Sequence, residues 1–329
     1  VDFGLILDRF LEAALGVDAV YFAVAAIGLN MHFGYTGLLN FGQVGFLMVS
    51  AYGLAITVTY FGLSFWPGIL VGILAAVAYA LLLGVPTLRL RADYLAIVTI
   101  VAAEIMRFLF RAVAFREVTG GSFGLQGFAR DFYAINPFSR GTYGIWIIDF
   151  SERQMWLLVV GWGLAIVMSI GMWLLVRSPW GRVIKAIRED EDAARSLGKN
   201  VFVYKMQSLV LGGVIGGFGG FILAVSQQAV QPDTYSPPVT FFIFTALILG
   251  GAATTVGPLI GSMLFWALLA ATDAFLRQGV SSGTIPSALM NGVQVGSVRF
   301  MLVGLGLMLL MIFRPQGILG DRRELALEQ

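Results

Sequence analysis

Long apolar runs separated by short polar interruptions occupy the chain from about residue 17 to residue 313. Nine of them, at about 17–33, 37–60, 66–84, 94–115, 155–176, 206–226, 239–251, 256–276 and 299–313, predict membrane segments. A helix rises about 1.5 Å per residue, so about 20 apolar residues cover the roughly 30 Å hydrocarbon layer. A transmembrane β-barrel would instead show short alternating segments. The seventh and ninth runs are short, and the seventh suits part of a re-entrant or broken helix. The pattern predicts an all-α polytopic membrane protein with about eight to nine transmembrane helices, some broken or re-entrant, in a single domain over residues 1–329. Residues 5–15 read as an amphipathic helix at the membrane surface. The opening stretch lacks the basic region and small-residue cleavage site of a removable signal peptide.

Composition agrees with this class. The chain is 58% hydrophobic and 12% charged, with a mean hydropathy of +0.85, where soluble domains carry about 25% charged residues. A net charge of +2 gives no reason to expect nucleic acid as a partner, and the absence of cysteine excludes disulfides and thiolate chemistry. Charge is concentrated in residues 177–205, which hold Arg177, Arg182, Lys185, Arg188, Arg195, Lys199 and Lys205 beside Glu189, Asp190, Glu191 and Asp192. Basic loops are retained in the cytoplasm during insertion. Counting spans outward from 177–205 puts Arg89, Arg91, Arg314, Arg322 and Arg323 on the same side, with the N-terminus outside and the C-terminus cytoplasmic. Residues 116–153 then form an extracytoplasmic loop of 38 residues, whose four basic and four acidic residues cancel. A small cap or a protein-docking surface is expected there.

Two apolar runs contain groups that a lipid-facing helix would not carry. The stretch GLNMHFGYTGLLNFGQVG (28–45) is rich in glycine and polar residues. It reads either as a broken helix lining a pathway or as a closely packed turn near one face, because non-helical backbone at membrane depth needs protein or water around it. Tyr35, Thr36, Asn40 and Gln43 are its pathway candidates. His32, the single histidine, has no acidic or thiol neighbour in register for a metal and reads as an interface residue. On the fourth segment, Glu104, Arg107 and Arg111 share one helical face. Glu104 and Arg107 are pathway or gate candidates; the preferred reading is a buried ion pair that sets helix register. Glycines four apart in 212–220, and at Gly257 and Gly261, predict close backbone packing.

The chemistry of an enzyme is absent. There is no phosphate-binding G-x-x-x-x-G-K-[ST], no H-E-x-x-H and no G-x-S-x-G. The central loop offers an alternative. Ser178-Pro179 starts a helix, residues 181–197 continue it with Val183, Ile184, Ile187, Ala193, Ala194 and Leu197 on one face, and Gly198 stops it. Its acidic run Glu189–Asp192 would be repelled by anionic lipid, so a protein partner is expected.

Within this loop, EDAARSLG (191–198) is similar to the Glu-Ala-Ala-x-x-x-Gly signature of ABC importer permeases, with Asp192 standing where that signature has alanine. GYTGLLNFGQVGF, LRLRADYLAIVTIVAAEIMR, TGGSFGL, SPWGRVIKAIREDEDAARSLGKN, ILGGAATTVGP and FRPQGILG follow in the order and spacing of the M-type permeases of Liv-type branched-chain amino acid importers, which the chain resembles. The resemblance implies a heterodimer with a homologous H-type permease, two P-loop ATPase subunits that hold ATP and Mg, and an extracytoplasmic substrate-binding protein. No cofactor belongs to this chain itself, and its surroundings are the lipid of a bacterial or archaeal cytoplasmic membrane. It further implies that Arg188, Glu189, Asp190, Glu191, Asp192, Ala193, Ala194 and Gly198 couple the chain to an ATPase. The alternatives are the same machinery for urea or short amides, or a stand-alone secondary transporter, which would call for internal inverted repeats.

Overall fold

The computed structural model describes residues 2–88, 92–145, 148–282, 292, 294–314 and 316–320. Arg89, Arg91, Arg322 and Arg323, which entered the orientation argument, lie outside them. Each of the nine apolar runs is helical. The first is α2 (Val17–Asn30), prolonged by a π-helical turn (Met31–Tyr35). The others are α3 (Gln43–Thr59), α4 (Phe65–Thr87), α5 (Ala92–Arg111), α8 (Glu152–Arg177), α11 (Val201–Gln227), α12 (Pro237–Gly250), α13 (Gly257–Ser281) and α14 (Val295–Phe313). Six of these, α2 with its π turn, α4, α8, α11, α13 and α14, are long and apolar enough to cross a membrane, while α3 and α12 are shorter. The protein is a multi-pass, all-α membrane protein.

The amphipathic N-terminal segment is helix α1 (Phe3–Leu15), capped by the Asp2 carboxylate, which accepts from the Gly4 amide at 2.9 Å. It lies along α13, where Asp2 and Gln278 exchange hydrogen bonds. Residues 112–151 hold short pieces only: α6 (Arg116–Thr119), α7 (Arg130–Ala134), a hairpin of β2 (Thr142–Ile145) with β3 (Ile148–Ser151), and β1 (Leu125–Gln126), which pairs antiparallel with β4 (Ala229–Val230). Phe128 and Phe132 are buried in the bundle core, and Asp131 accepts from the Phe65 amide at 3.1 Å, holding the start of α4. The segment is therefore a cap stitched to the helix ends.

At the centre, α2 is buried nearly all round and packs chiefly on α11 and α13, while α3 packs on the far side of α11 and on α4. Glycine makes that approach geometrically allowed. A β-carbon on Gly28 would stand 2.4 Å from the Gly212 carbonyl, and one on Gly220 would stand 2.1 Å from the Leu47 carbonyl. Real carbons do not come so close, so backbone touches backbone, as small-residue stripes permit between membrane helices. The glycines of α11 serve the interior of this chain. Gly261 does the same for α13 against α12, where its β-carbon would sit 1.9 Å from the Ala246 carbonyl.

Two boundaries differ from expectation. The second membrane segment starts as helix at Gln43 and not at 37, because residues 37–42 form a turn held by the Asn40 side chain on His32, Gln43 and Gly42 and by the Phe41 amide on Thr99. The helix expected over 181–197 is two helices, α9 (Pro179–Glu189) and α10 (Glu191–Ser196). Asp190 is extended (φ −152°, ψ 106°), and its carboxylate accepts from the amides of Asp192 and Ala193, both at 2.9 Å. A side chain well suited to the N-cap has begun a new helix inside the acidic run.

Replacing Gly220 by leucine is expected to cost at least the ~1–3 kcal/mol typical of overpacking and to abolish accumulation of folded protein in membranes. Gly163→Leu, with open space around its β-position, is expected to leave both yield and thermal midpoint in detergent unchanged.

Candidate functional site

Below the π turn the chain reverses. Leu38 N donates to the His32 carbonyl at 2.8 Å, and residues 37–42 run back beside α2 without helical structure. Gln43, the first residue of α3, reaches the carbonyls of Ala25 and Gly212 at 3.5 and 3.4 Å, so this helix begins level with the middle of α2. The polar side chains of the stretch are consumed in bracing it. The Asn40 amide donates to His32 Nδ1 at 3.0 Å and to Gln43 Oε1 at 2.9 Å, while its oxygen accepts from the Gly42 amide at 3.0 Å. His32 Nε2 stands 3.1 Å from the Leu209 carbonyl. Neutral imidazole protonated at Nε2 satisfies both contacts, with Nδ1 as the acceptor. Thr36 Oγ1 donates to the Met31 carbonyl at 2.8 Å and sits 2.5 Å from Ser208 Oγ. The ladder extends sideways, with Phe41 N donating to Thr99 Oγ1 on α5 at 3.1 Å and Val44 N to Thr240 Oγ1 on α12 at 3.0 Å. Thr36, Asn40 and Gln43 are at most 2% exposed. His32 sits at a helix interface as expected, whereas Ser208, Thr99 and Thr240 had no visible role in the sequence, because their partners are distant in the chain.

The same end of α2 holds the 251–256 turn. Asn30 Nδ2 donates to the Thr254 carbonyl and its Oδ1 accepts from the Ala253 amide, both at 2.8 Å. The segment after α14 caps α12, with Ile318 N and Leu319 N donating to the carbonyls of Leu249 and Gly250 at 3.0 and 3.1 Å. These groups answer the unpaired carbonyls that every helix C-terminus leaves.

Helices α9 and α10 dock on this end. Ile184 packs with Met31, Tyr35, Met172 and Val176, while Ile187 joins Ala194 and Val201. Arg188 Nη1 donates to the Gly34 carbonyl at 2.6 Å, inside the π turn. The stem of Arg188 lies against Gly37, whose backbone is left-handed (φ +71°). The Lys185 ammonium stands 5.9 Å from the Tyr35 ring. Glu191 anchors α10 by pairing with Lys205 and, at 3.0 Å, with Arg195. Glu189, Asp190, Asp192 and Ala193 are exposed, Gly198 terminates the element at φ +76°, and Ala194 is buried. Ala193 and Leu197, both expected on the apolar face, are instead exposed, Leu197 by 79%, because the break at Asp190 turns α10 relative to α9.

Glu104 and Arg107 belong to a separate cluster towards the 112–151 end. Arg107 donates to both Glu104 oxygens at 2.9 and 2.8 Å and to Asp233 at 2.8 Å, and Arg111 reaches Asp233 at 3.3 Å. The expected ion pair is present and ties α5 to residues 232–235. Asp233, the missing partner, was not legible from α5 alone.

Asn40→Leu would leave His32 Nδ1, Gln43 Oε1 and the Gly42 amide without their partners. Each orphaned buried group costs about 1–3 kcal/mol, so a large fall in the thermal midpoint of the purified protein is expected. An unchanged midpoint would show that the brace is dispensable.

Comparison with known proteins fits this geometry. The family described as "Branched-chain amino acid transport system / permease component" matches residues 13–312. The chain is 32% identical over 308 residues to the LivM permease protein of a high-affinity branched-chain amino acid transport system from Salmonella typhimurium, covering 91% of this chain and 67% of the relative. It is 28% identical over 267 residues to the nucleoside ABC transporter permease protein NupC of Lactococcus lactis, 76% of each chain. To LivH of Salmonella typhimurium it is 24% identical over 278 residues, 78% of this chain and 82% of the relative. A match running through all nine apolar helices, with residues 36–42 and α9–α10 inside it, makes this chain a member of the branched-chain amino acid transport permease family.

Proposed function

We propose that this chain is one of two membrane-spanning subunits of an ATP-driven importer for branched-chain amino acids. In this reading α9–α10 receives the motion of a P-loop ATPase subunit. The observation that carries the coupling role is the Arg188 bond to the Gly34 carbonyl. It links an exposed, charge-rich helix pair directly to the irregular backbone between α2 and α3. A π turn is often found at functional sites, and one that exchanges its carbonyl partner can move without unfolding its helix.

The chain performs no covalent step. ATP and Mg reside on the two ATPase subunits, and Leu197 with the exposed acidic groups forms the surface they grip. A rigid-body shift of α9 acts through Arg188 and Ile184 on the π turn, and the spans alternate between outward and inward exposure. The α9–α10 end faces the cytoplasm of a bacterial or archaeal cell, as its basic residues favour, leaving the C-terminal side cytoplasmic and the start of the chain outside. A substrate-binding protein docks on the 112–151 cap, and an H-type homologue completes the pathway. The likeness to a nucleoside permease supports a rival cargo on the same machine.

In the complete complex reconstituted in vesicles, Arg188→Ala removes a charge-assisted bond worth about 1.5–3 kcal/mol. It is expected to lower leucine uptake about tenfold or more while ATP hydrolysis continues. Gly198→Pro, which is incompatible with φ +76°, and charge reversal over Glu189–Asp192 are expected to uncouple transport in the same way. Normal uptake by all three would overturn the coupling assignment. Uptake of nucleoside or urea in place of leucine by the wild-type complex would change the cargo.

A further inference from the structure

Where α1 hands over to α2, two clefts open side by side and share Phe150 as a common wall. The first, of about 250 Å³, lies between the β2–β3 hairpin and α8 and is almost wholly apolar, with Leu15, Tyr143, Leu158, Val159 and Trp162 among its lining. Val159 is exposed, as are Ile166 and Ile170 at seven- and four-residue steps along the same face of α8. That face is one for hydrocarbon. Trp162 fixes the depth of the cleft, because its indole nitrogen donates to the Leu15 carbonyl at 2.9 Å. It stands ten residues after Glu152, where α8 starts, and fifteen before Arg177, where α8 ends. At 1.5 Å per residue the cleft is about 22 Å from the Arg177 end, in the cap-side half of a roughly 30 Å hydrocarbon layer.

The second cleft, of about 320 Å³, is bordered by α1, the first turn of α2, α13 and the start of α8, with Arg9, Glu12, Asp18, Gln154 and Trp266 in its walls. Arg9 and Glu12 pair at 2.9 Å. Asp18 meets neither a cation nor a hydrogen-bond donor among the described residues and leaves the cleft with an uncompensated negative charge. Gln154 accepts from Ser151 through its amide oxygen, and its amide nitrogen has no partner among the described residues.

We propose that the two clefts together bind one phospholipid with a primary-amine headgroup, drawn from the leaflet on the cap side. An acyl chain fills the apolar cleft beside Val159, and the headgroup sits against Arg9, Glu12 and Asp18. An apolar wall with a few placed polar groups is the usual make-up of a small-molecule site, and here the two kinds of wall match the two halves of a lipid. Charge selects the headgroup. The Arg9 guanidinium suits the phosphate, and the carboxylates of Asp18 and Glu12 suit an ammonium, which has three N–H groups to donate. A choline headgroup has no N–H to give. Anionic lipids without an amine are drawn to clusters of basic residues, and the excess carboxylate repels them here. Tyr143, Trp162 and Trp266 line the same two clefts, and such amphipathic rings favour the level of the headgroups.

The test uses the full chain, purified in mild detergent, stripped of lipid and titrated with dioleoyl phosphatidylethanolamine, phosphatidylcholine or phosphatidylglycerol. Native mass spectrometry counts the lipid retained, and the thermal midpoint is followed in parallel. One ethanolamine lipid is expected to stay bound and to raise the midpoint. The other two are expected to bind about tenfold or more weakly, as the loss of a charge-assisted hydrogen bond implies. Asp18→Asn is expected to erase that preference, and Glu12→Gln to reduce it. Val159→Trp, which fills the apolar cleft from an exposed position, is expected to abolish retention, whereas Val167→Trp, elsewhere on exposed α8, is expected to leave it unchanged. In native membranes, benzoylphenylalanine in place of Val159 is expected to give a phospholipid adduct. Equal retention of the three lipids would overturn the proposal, as would retention indifferent to Val159→Trp. Capture of a polypeptide from position 159 would assign the cleft to a protein partner and overturn it as well.

Discussion

One constraint governs the structure: backbone polar groups inside a membrane must be answered by the protein itself. Helices answer most of them. Residues 37–42 do not, and the interior is arranged around that deficit. Asn40 supplies three hydrogen bonds, two to side chains and one to backbone, and Thr99 and Thr240 each supply one more from neighbouring helices. The buried polar groups form a network that ties α2, α3, α5, α11 and α12 together. Because the surroundings are apolar, each bond is electrostatically strong and each missing one costly.

The glycines of α11 belong to the same solution. Gln43 can reach both the Ala25 and Gly212 carbonyls because α2 and α3 each approach α11 at backbone distance. Larger residues on α11 would hold the helices apart and leave the Gln43 amide without acceptors. Close packing and polar satisfaction therefore depend on one another, and neither is a separate source of stability.

At the end bearing α9 and α10, the same irregular backbone becomes a handle. The Gly34 carbonyl turns to the Arg188 guanidinium, the Asn30 side chain holds the 251–256 turn, and the 316–320 segment closes α12. Helix α9 and the 251–256 turn thus converge on the end of the first span, and the 316–320 segment closes the neighbouring end of α12. A push on α9 would be delivered to the first span without an intermediate loop, which gives the proposed coupling a short mechanical path.

Much of the architecture was determined by sequence. Nine apolar runs became nine helices, because hydrocarbon leaves an apolar segment of that length few other conformations. Ser178-Pro179 and Gly198 set the limits of the charged element, since N-caps, proline and left-handed glycine act within a single turn. The glycine spacing foretold close packing. Tertiary structure alone decided the rest. Asp190 divided α9 from α10 by capping a new helix, although the apolar periodicity ran through it. His32 was one polar residue in an apolar stretch until packing brought the Leu209 carbonyl to it. Asp233 lay 126 residues from Arg107, beyond the reach of any helical spacing. Local signals are carried by neighbours a turn away, whereas a buried hydrogen bond between helices is created only when packing removes water and brings distant partners together.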